Sequence, residues 1–261
     1  MRFATWNVNS LKARLPRVEE WAQYAHPDVL CLQETKLSDD SFPQLTFQTL
    51  GYDSVHHGPG QWNGVAILSR AGISDVTSGF DGTEMVDPYE GDARLLSAMC
   101  GGVRVICVYV PNGRKVGSEF YERKLAWLEC LHDWIAATYK PTDPIVMMGD
   151  FNVAPEDRDV YDPAAWEGHV LCTPAERAAL ASIVELGLRD TFRLFEQPPS
   201  TYSWWDYRAG FFRRNRGLRI DLMLASGNLS QICTSCRIDR EPRGWERPSD
   251  HAPVVAEFTA A

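Results

Sequence analysis

No apolar run in this chain approaches the roughly 20 residues needed to cross a bilayer. No Gly/Ser/Pro-rich linker, block of like charge or low-complexity tract divides it, and no period of about 20 to 50 residues repeats. These absences argue against a helical membrane protein and against a tandem or repeat architecture, and lead us to expect one domain over residues 1–261. The opening MRFATWNVNS enters strand-like sequence at once, with neither the apolar centre of a signal peptide nor the Arg/Ser bias of a transit peptide. A soluble, cytoplasmic protein is expected. Positive charge is also scarce: 26 Lys and Arg against 35 Asp and Glu give a net charge of −9. That argues against electrostatic capture of nucleic acid by the whole surface, while leaving room for a local basic patch. The seven cysteines are odd in number, and Cys31, Cys100 and Cys107 lie in strand-like apolar sequence, so they read as buried free thiols in a reducing compartment. The single CxxC, Cys233-Thr-Ser-Cys236, has no second pair or His pair to complete a zinc site and reads as two strand thiols.

What is present is ordinary globular material, 44% hydrophobic and 23% charged, long enough to bury a large core. Apolar runs predict strands over 2–8, 28–33, 64–69, 94–99, 103–110, 144–149, 218–225 and 253–258. Gly101-Gly102 between two of them signals a hairpin. Helices are expected over 15–25, with Pro16 in its first turn, over 118–139, with a face of Phe120, Leu125, Leu128, Leu131 and Ile135, and over 173–186, opened by the capping signature Thr173-Pro174-Ala175-Glu176. Many strands with few, widely spaced helices predict an α/β fold of two packed sheets flanked by helices.

The polar residues are informative once placed on this pattern. Strand-like runs end at Asn7, Glu34, Tyr109, and Asp150 with Asn152; another meets Asp221, and Asp250-His251 precede the last. Singly, each has a plain reading as a turn former, a solvated strand end or a core histidine. Together they place groups that bind metal or move protons where sheet scaffolds hold their ligands. Asp150 and Asn152, two apart, share one face if the chain there is extended, and Asp221 is available to orient His251. Oxygen donors dominate, which suits Mg²⁺ or Mn²⁺ better than zinc and fits attack on a phosphate ester.

Seven segments in order, WNVNS (6–10), LQETK (32–36), YVPNG (109–113), GDFNV (149–153), YSWWDYR (202–208), NRGLRIDLMLAS (215–226) and SDHAPV (249–254), resemble the motifs of the exonuclease III family of apurinic/apyrimidinic endonucleases, in its bacterial form. The resemblance implies a four-layered α/β sandwich and a Mg²⁺-dependent enzyme, Mn²⁺ substituting, that cuts the phosphodiester 5′ to abasic sites in duplex DNA. It also implies 3′→5′ exonuclease and 3′-phosphodiesterase or phosphatase activity on blocked 3′ ends. By motif position, it implies a metal site of Asn7, Glu34, Asp150, Asn152 and Asp250. Tyr109 would contact the scissile phosphate, Asp150 would position or deprotonate the attacking water, Asn152 would stabilise the transition state, and His251 with Asp221 would face the phosphate or serve as base. The resemblance leaves the base open between Asp150 and His251. Asn9 stands where mammalian members carry an acid, which leaves the number of metals open.

The DNA surface implied comprises Asn112, Trp204, Arg208, Arg213, Arg214, Arg216, Leu218 and Ile220, with Trp204, Leu218 and Ile220 lining the sugar pocket. The segment also argues for itself: Arg208, Arg213, Arg214, Arg216 and Arg219 are interleaved with Phe211 and Phe212 after Trp204, Trp205 and Tyr207, a pattern of phosphate contacts with apolar wedges. Two other readings share this fold: a phosphatase of lipid or inositol phosphates, and a catalytically silent nucleic-acid-binding regulator. The arginine segment disfavours the first, and the complete polar set disfavours the second. No obligatory protein partner and no membrane association are expected.

Overall fold

The apolar runs of the sequence become the inner strands of two sheets. The computed structural model describes residues 1–81 and 85–259. In chain order these form strands β1 (Arg2–Asn7), β2 (Val29–Gln33), β3 (Asp53–His57), β4 (Val65–Ser69), β5 (Ser74–Ser78), β6 (Leu95–Cys100), β7 (Val103–Tyr109), β8 (Ile145–Asp150), β9 (Leu188–Asp190), β10 (Asp221–Ser226), β11 (Cys233–Ile238) and β12 (Val254–Phe258). The helices are α1 (Leu11–Ala25), α2 (Gln44–Thr49), α3 (Glu119–Thr138), α4 (Pro163–Trp166), α5 (Pro174–Glu185) and α6 (Gly227–Ser230). One six-stranded sheet has the order β11-β12-β1-β2-β4-β3 and the other β5-β6-β7-β8-β10-β9.

Residues that alternate inward from both sheets, among them Phe3, Cys31, Ile67, Cys107, Met148 and Met223, pack into one apolar layer between them. Val18, Trp21 and Ala22 of α1 cover the outer face of the first sheet. Trp127, Leu128 and Leu131 of α3, with Leu180 and Ile183 of α5, cover that of the second. The result is the four-layered α/β sandwich expected. Gly101 and Gly102, with φ of 56° and 84°, close the β6–β7 hairpin in the doubly left-handed turn that two-residue loops favour. Thr173 and Glu176 form the predicted capping box of α5.

Three expectations need correction. Helix α1 begins at Leu11, not Leu15, because the Ser10 and Leu11 N–H groups find the Glu34 and Thr35 carbonyls at 2.7 and 2.9 Å in place of a side-chain cap. Pro16 therefore lies inside the helix. On α3 the buried face is Tyr121, Lys124, Trp127, Leu128, Leu131, Trp134 and Ile135; Phe120 stays outside, with the Arg114 guanidinium 3.7 Å from its ring centre. The strand read from residue 218 begins only at Asp221, since Leu218 instead makes isolated bridges to Val160 and Trp204.

Candidate active site

Parallel pairing of β1 with β2 and of β7 with β8 carries four C-terminal strand ends to one edge of the sandwich, and the antiparallel β10 and β12 add their N-terminal ends. Tyr109, Asp150 and Asp221 are consequently register partners across three adjacent strands. From the other sheet, Asn7 Nδ2 reaches across to Asp150 Oδ2 at 2.9 Å and to Glu34 Oε1 at 3.0 Å. A side chain at Gly149 would bring its Cβ to 1.9 Å from the Val108 carbonyl oxygen, so only glycine lets β8 approach β7 this closely just before Asp150.

The extended chain expected between Asp150 and Asn152 is replaced by a turn. Asn152 adopts φ of 48°, and its N–H donates to Asp150 Oδ1 at 2.9 Å, so the short Asp side chain caps its own strand end. The two side chains still meet: Asn152 Nδ2 lies 3.2 Å from Asp150 Oδ2 and 2.9 Å from the Val110 carbonyl oxygen. His251 Nδ1 is 2.8 Å from Asp221 Oδ2, and its Nε2 faces Asp150 Oδ2 at 3.8 Å. Ser203 holds the pair, its hydroxyl donating to Asp221 Oδ2 at 2.7 Å while accepting from the Ile220 and Asp221 N–H groups. Ser249 donates to the Asn7 carbonyl at 2.6 Å. Ser203 and Ser249 were not singled out from sequence, although they lie within the YSWWDYR and SDHAPV segments.

The electrostatics follow from burial. Asp150 is 1% exposed, and burial, with the charge of Asp221 added, drives its carboxyl up to about 7 against the pull of His251 and its amide donors. Burial opposes the charge on His251, but Asp221 and Asp150 outweigh it and hold the imidazole at about 10. Glu34 is likewise pushed up by burial, yet the Lys36 ammonium 2.9 Å away, the Asn7 amide and His251 bring it below its ordinary value. Burial first, then the neighbouring Glu34 charge, raises the Tyr109 phenol well above its usual range, leaving it a neutral donor.

Among the residues expected as metal ligands, Asn7 and Asn152 present amide nitrogen to the carboxylates. Their oxygens accept instead from the Asn9 N–H at 3.0 Å and from Asn112 Nδ2 at 3.2 Å. Asp250 is drawn aside, its two oxygens accepting from Asn9 Nδ2 and Trp204 Nε1, each at 3.0 Å. Asp150, Asp221 and His251 each offer a ligand atom within 4.8 Å of the others, and Asp221 Oδ1 is buried without a hydrogen-bond partner. A buried edge with four carboxylates against Lys36 and His251 is deficient in positive charge, and its donors are hard oxygens. These residues fit a hard divalent cation.

The basic segment divides into two parts. Arg208, Arg213, Arg214 and Arg216 are exposed on the loop beyond Trp205. Arg219 faces inward: it is 1% exposed and paired with Asp159 and Asp190, so it does not belong to the DNA surface. Leu218 and Ile220, at 0% and 2% exposure, pack with Ala154, Val160, Leu171 and Cys172 behind the half-buried Trp204. On the opposite side of the site, a groove of about 540 Å³ runs past Glu34 and Tyr109, lined by Lys36, Trp62, Arg94, Asn112 and Arg114. Its basic residues are scattered through the sequence, so no charge run announced them.

The donors at this edge are hard oxygens, a carboxylate fixes its one histidine, and the exposed arginines stand outside the reacting groups. That chemistry on this fold defines a nuclease of the α/β-sandwich class. The chain belongs to the Endonuclease/Exonuclease/phosphatase family, whose sequence model matches residues 4–251. It is 34% identical over 270 residues to exodeoxyribonuclease III of Haemophilus influenzae, covering 99% of this chain and 100% of that protein. An AP endonuclease from Archaeoglobus fulgidus superposes with a TM-score of 0.95 at 40% identity, and a 3′ phosphatase from Neisseria bound to a product DNA hairpin with 0.93 at 39%, each over 100% of both chains.

Proposed function

We propose that this nuclease hydrolyses the phosphodiester 5′ to abasic sites in duplex DNA, leaving a 3′-hydroxyl, and also trims 3′ ends as a 3′→5′ exonuclease and 3′-phosphodiesterase or phosphatase. The observation that carries the reading is the Asp150 carboxylate, held by Asn7 and Asn152 and faced by the Asp221-oriented His251. In it, Asp150 positions the attacking water and accepts its proton. Asn152 and Tyr109 donate to the phosphate oxygens as charge develops, and His251 faces the same oxygens. Glu34, Asp150 and Asp250 would hold the metal. Mg²⁺, which Mn²⁺ can replace, would supply positive charge for the non-bridging and leaving oxygens. The substrate is duplex DNA, engaged by Asn112, Trp204 and the arginine loop.

Residues from both ends of the chain share one sheet, β1 beside β12, which supports reading 1–261 as one domain. No helix among the described residues is long and apolar enough to cross a membrane, and all seven cysteines are free, in keeping with a cytoplasmic setting.

The test is a duplex carrying one central tetrahydrofuran abasic analogue, labelled at its 5′ end. Incision at the analogue with Mg²⁺, abolished by EDTA, is expected. Shortening from the 3′ end without incision would reduce the activity to exonuclease, and intact substrate would sink the proposal.

Salt dependence tests the surface. Replacing Arg213 and Arg214 together by Ala is expected to flatten the log–log slope of duplex affinity against salt by about 2 units, near 0.9 per phosphate contact. An unchanged slope would remove this loop from the DNA face.

A further inference from the structure

A lysine on the buried face of a helix needs a reason. Lys124, on α3, is 0% exposed and sits among Tyr121, Trp127 and Leu128. Its ammonium uses all three of its hydrogens: Nζ donates to the Asn152 carbonyl at 2.7 Å, the Asn112 carbonyl at 3.3 Å and Glu176 Oε1 at 2.5 Å. Glu176, also 0% exposed, is in turn saturated by the Leu171 and Thr173 N–H groups and the Thr173 hydroxyl. Asn112 and Asn152 lie on loops that follow different strands, and their side chains meet at 3.2 Å. Asn152 is left-handed, and Gly113 is too, at φ of 84°; a Cβ on Gly113 would come within 2.9 Å of Lys124 Cδ. A buried ion pair seldom adds net stability over apolar residues of similar size, so the fold alone does not account for this one.

We propose that Lys124 is a positioning residue: by clamping the carbonyls of Asn112 and Asn152 from below, it fixes both carboxamides against the scissile phosphate. The inference rests on the site reading above, in which Asn152 touches the phosphate. Lys124 itself meets no substrate and acts only through the two loops.

Lys124→Met alone strands the Glu176 charge and can unfold the protein, so the informative variant is Lys124→Met/Glu176→Gln, which removes both charges and keeps a capping side chain at 176. Its kcat for incision of the abasic duplex is expected to fall on the order of 10²-fold, the scale of a small misplacement of catalytic groups, while KM stays within about threefold and the protein stays folded, its melting temperature lowered by the two carbonyls left without a donor. In an Asn112→Ala/Asn152→Ala background the same pair of changes should cost little more, because both groups it positions are gone. Unchanged kcat in the double variant, with Asn152→Ala impaired, would overturn the proposal alone. Full activity of Asn152→Ala would overturn the site reading on which it rests. A full additional loss in the Asn112→Ala/Asn152→Ala background would show that Lys124 acts elsewhere, and also overturns the proposal.

Discussion

Asp150→Asn is expected to lower kcat for abasic incision by about 10³-fold or more while leaving the fold and duplex affinity intact. The substitution is isosteric, and the turn that ends β8 can persist: the Asn152 N–H still has an oxygen to donate to, which in the native protein is Oδ1 at 2.9 Å. What is lost is the negative oxygen between Asn7, Asn152 and His251, and with it both a metal ligand and the acceptor for the water proton. General-base catalysis is typically worth 10²- to 10⁴-fold, and loss of metal charge compounds it. The check is single-turnover incision with a parallel binding curve. A variant within about tenfold of wild type would move the proton to another group, His251 first. Since His251 is held charged by Asp221 and Asp150 in this arrangement, the geometry favours Asp150 for that role.

The sequence announced this site because chemistry and topology coincide there. Six of the eight apolar runs that become inner strands carry a polar group at the edge of the sandwich where the site forms, β1, β2, β7 and β8 at their C-terminal ends and β10 and β12 at their N-terminal ends, so marking strand ends collected Asn7, Tyr109, Asp150 and Asp221 before any contact was visible. The strands missing from the apolar pattern are the sheet edges. β3, β5 and β9 all flank a single neighbour, and β3 and β5 are polar and partly exposed throughout, so no alternation marks them. The fourth edge, β11, was anticipated only through its thiols, Cys233 and Cys236. Inside the site, sequence spacing put Asp150 and Asn152 on one face but could not reveal that a left-handed turn does it, nor that Asn7 and Asn152 offer nitrogen where oxygen was expected. Lys124 had a signal of its own, a charge at helical spacing within Tyr121, Trp127, Leu128 and Leu131, which a search for strand ends passes over.

Arg219 marks where charge counting fails, and its replacement should have the largest effect on stability. By sequence it is one arginine of five between Arg208 and Asp221. Its neighbours Leu218 and Ile220 are buried on one side of the backbone, and the alternation sends Arg219 to the other, where Asp159 and Asp190 wait. Arg219 Nε and Nη2 donate to the Asp159 carboxylate at 2.7 and 3.2 Å, and Nη1 lies 2.8 Å from Asp190. Arg193 adds a second cation on Asp159. Arg219→Met fills similar volume but leaves two acids short of their partner, one of them 1% exposed; breaking such a buried network costs about 3–5 kcal/mol. For a chain of this length that corresponds to a fall of roughly 10 °C in melting temperature, with the salt slope for duplex binding unchanged. Arg213→Met, on the exposed loop, should do the reverse, moving stability by no more than about 0.5 kcal/mol while flattening the slope by about 0.9. Thermal denaturation and salt-dependent binding on the two variants separate these roles. If Arg219→Met melts like wild type and binds DNA with a flatter slope, the arginine belongs to the DNA surface after all, and the buried tether from Arg219 to Asp159 and β9 contributes nothing measurable.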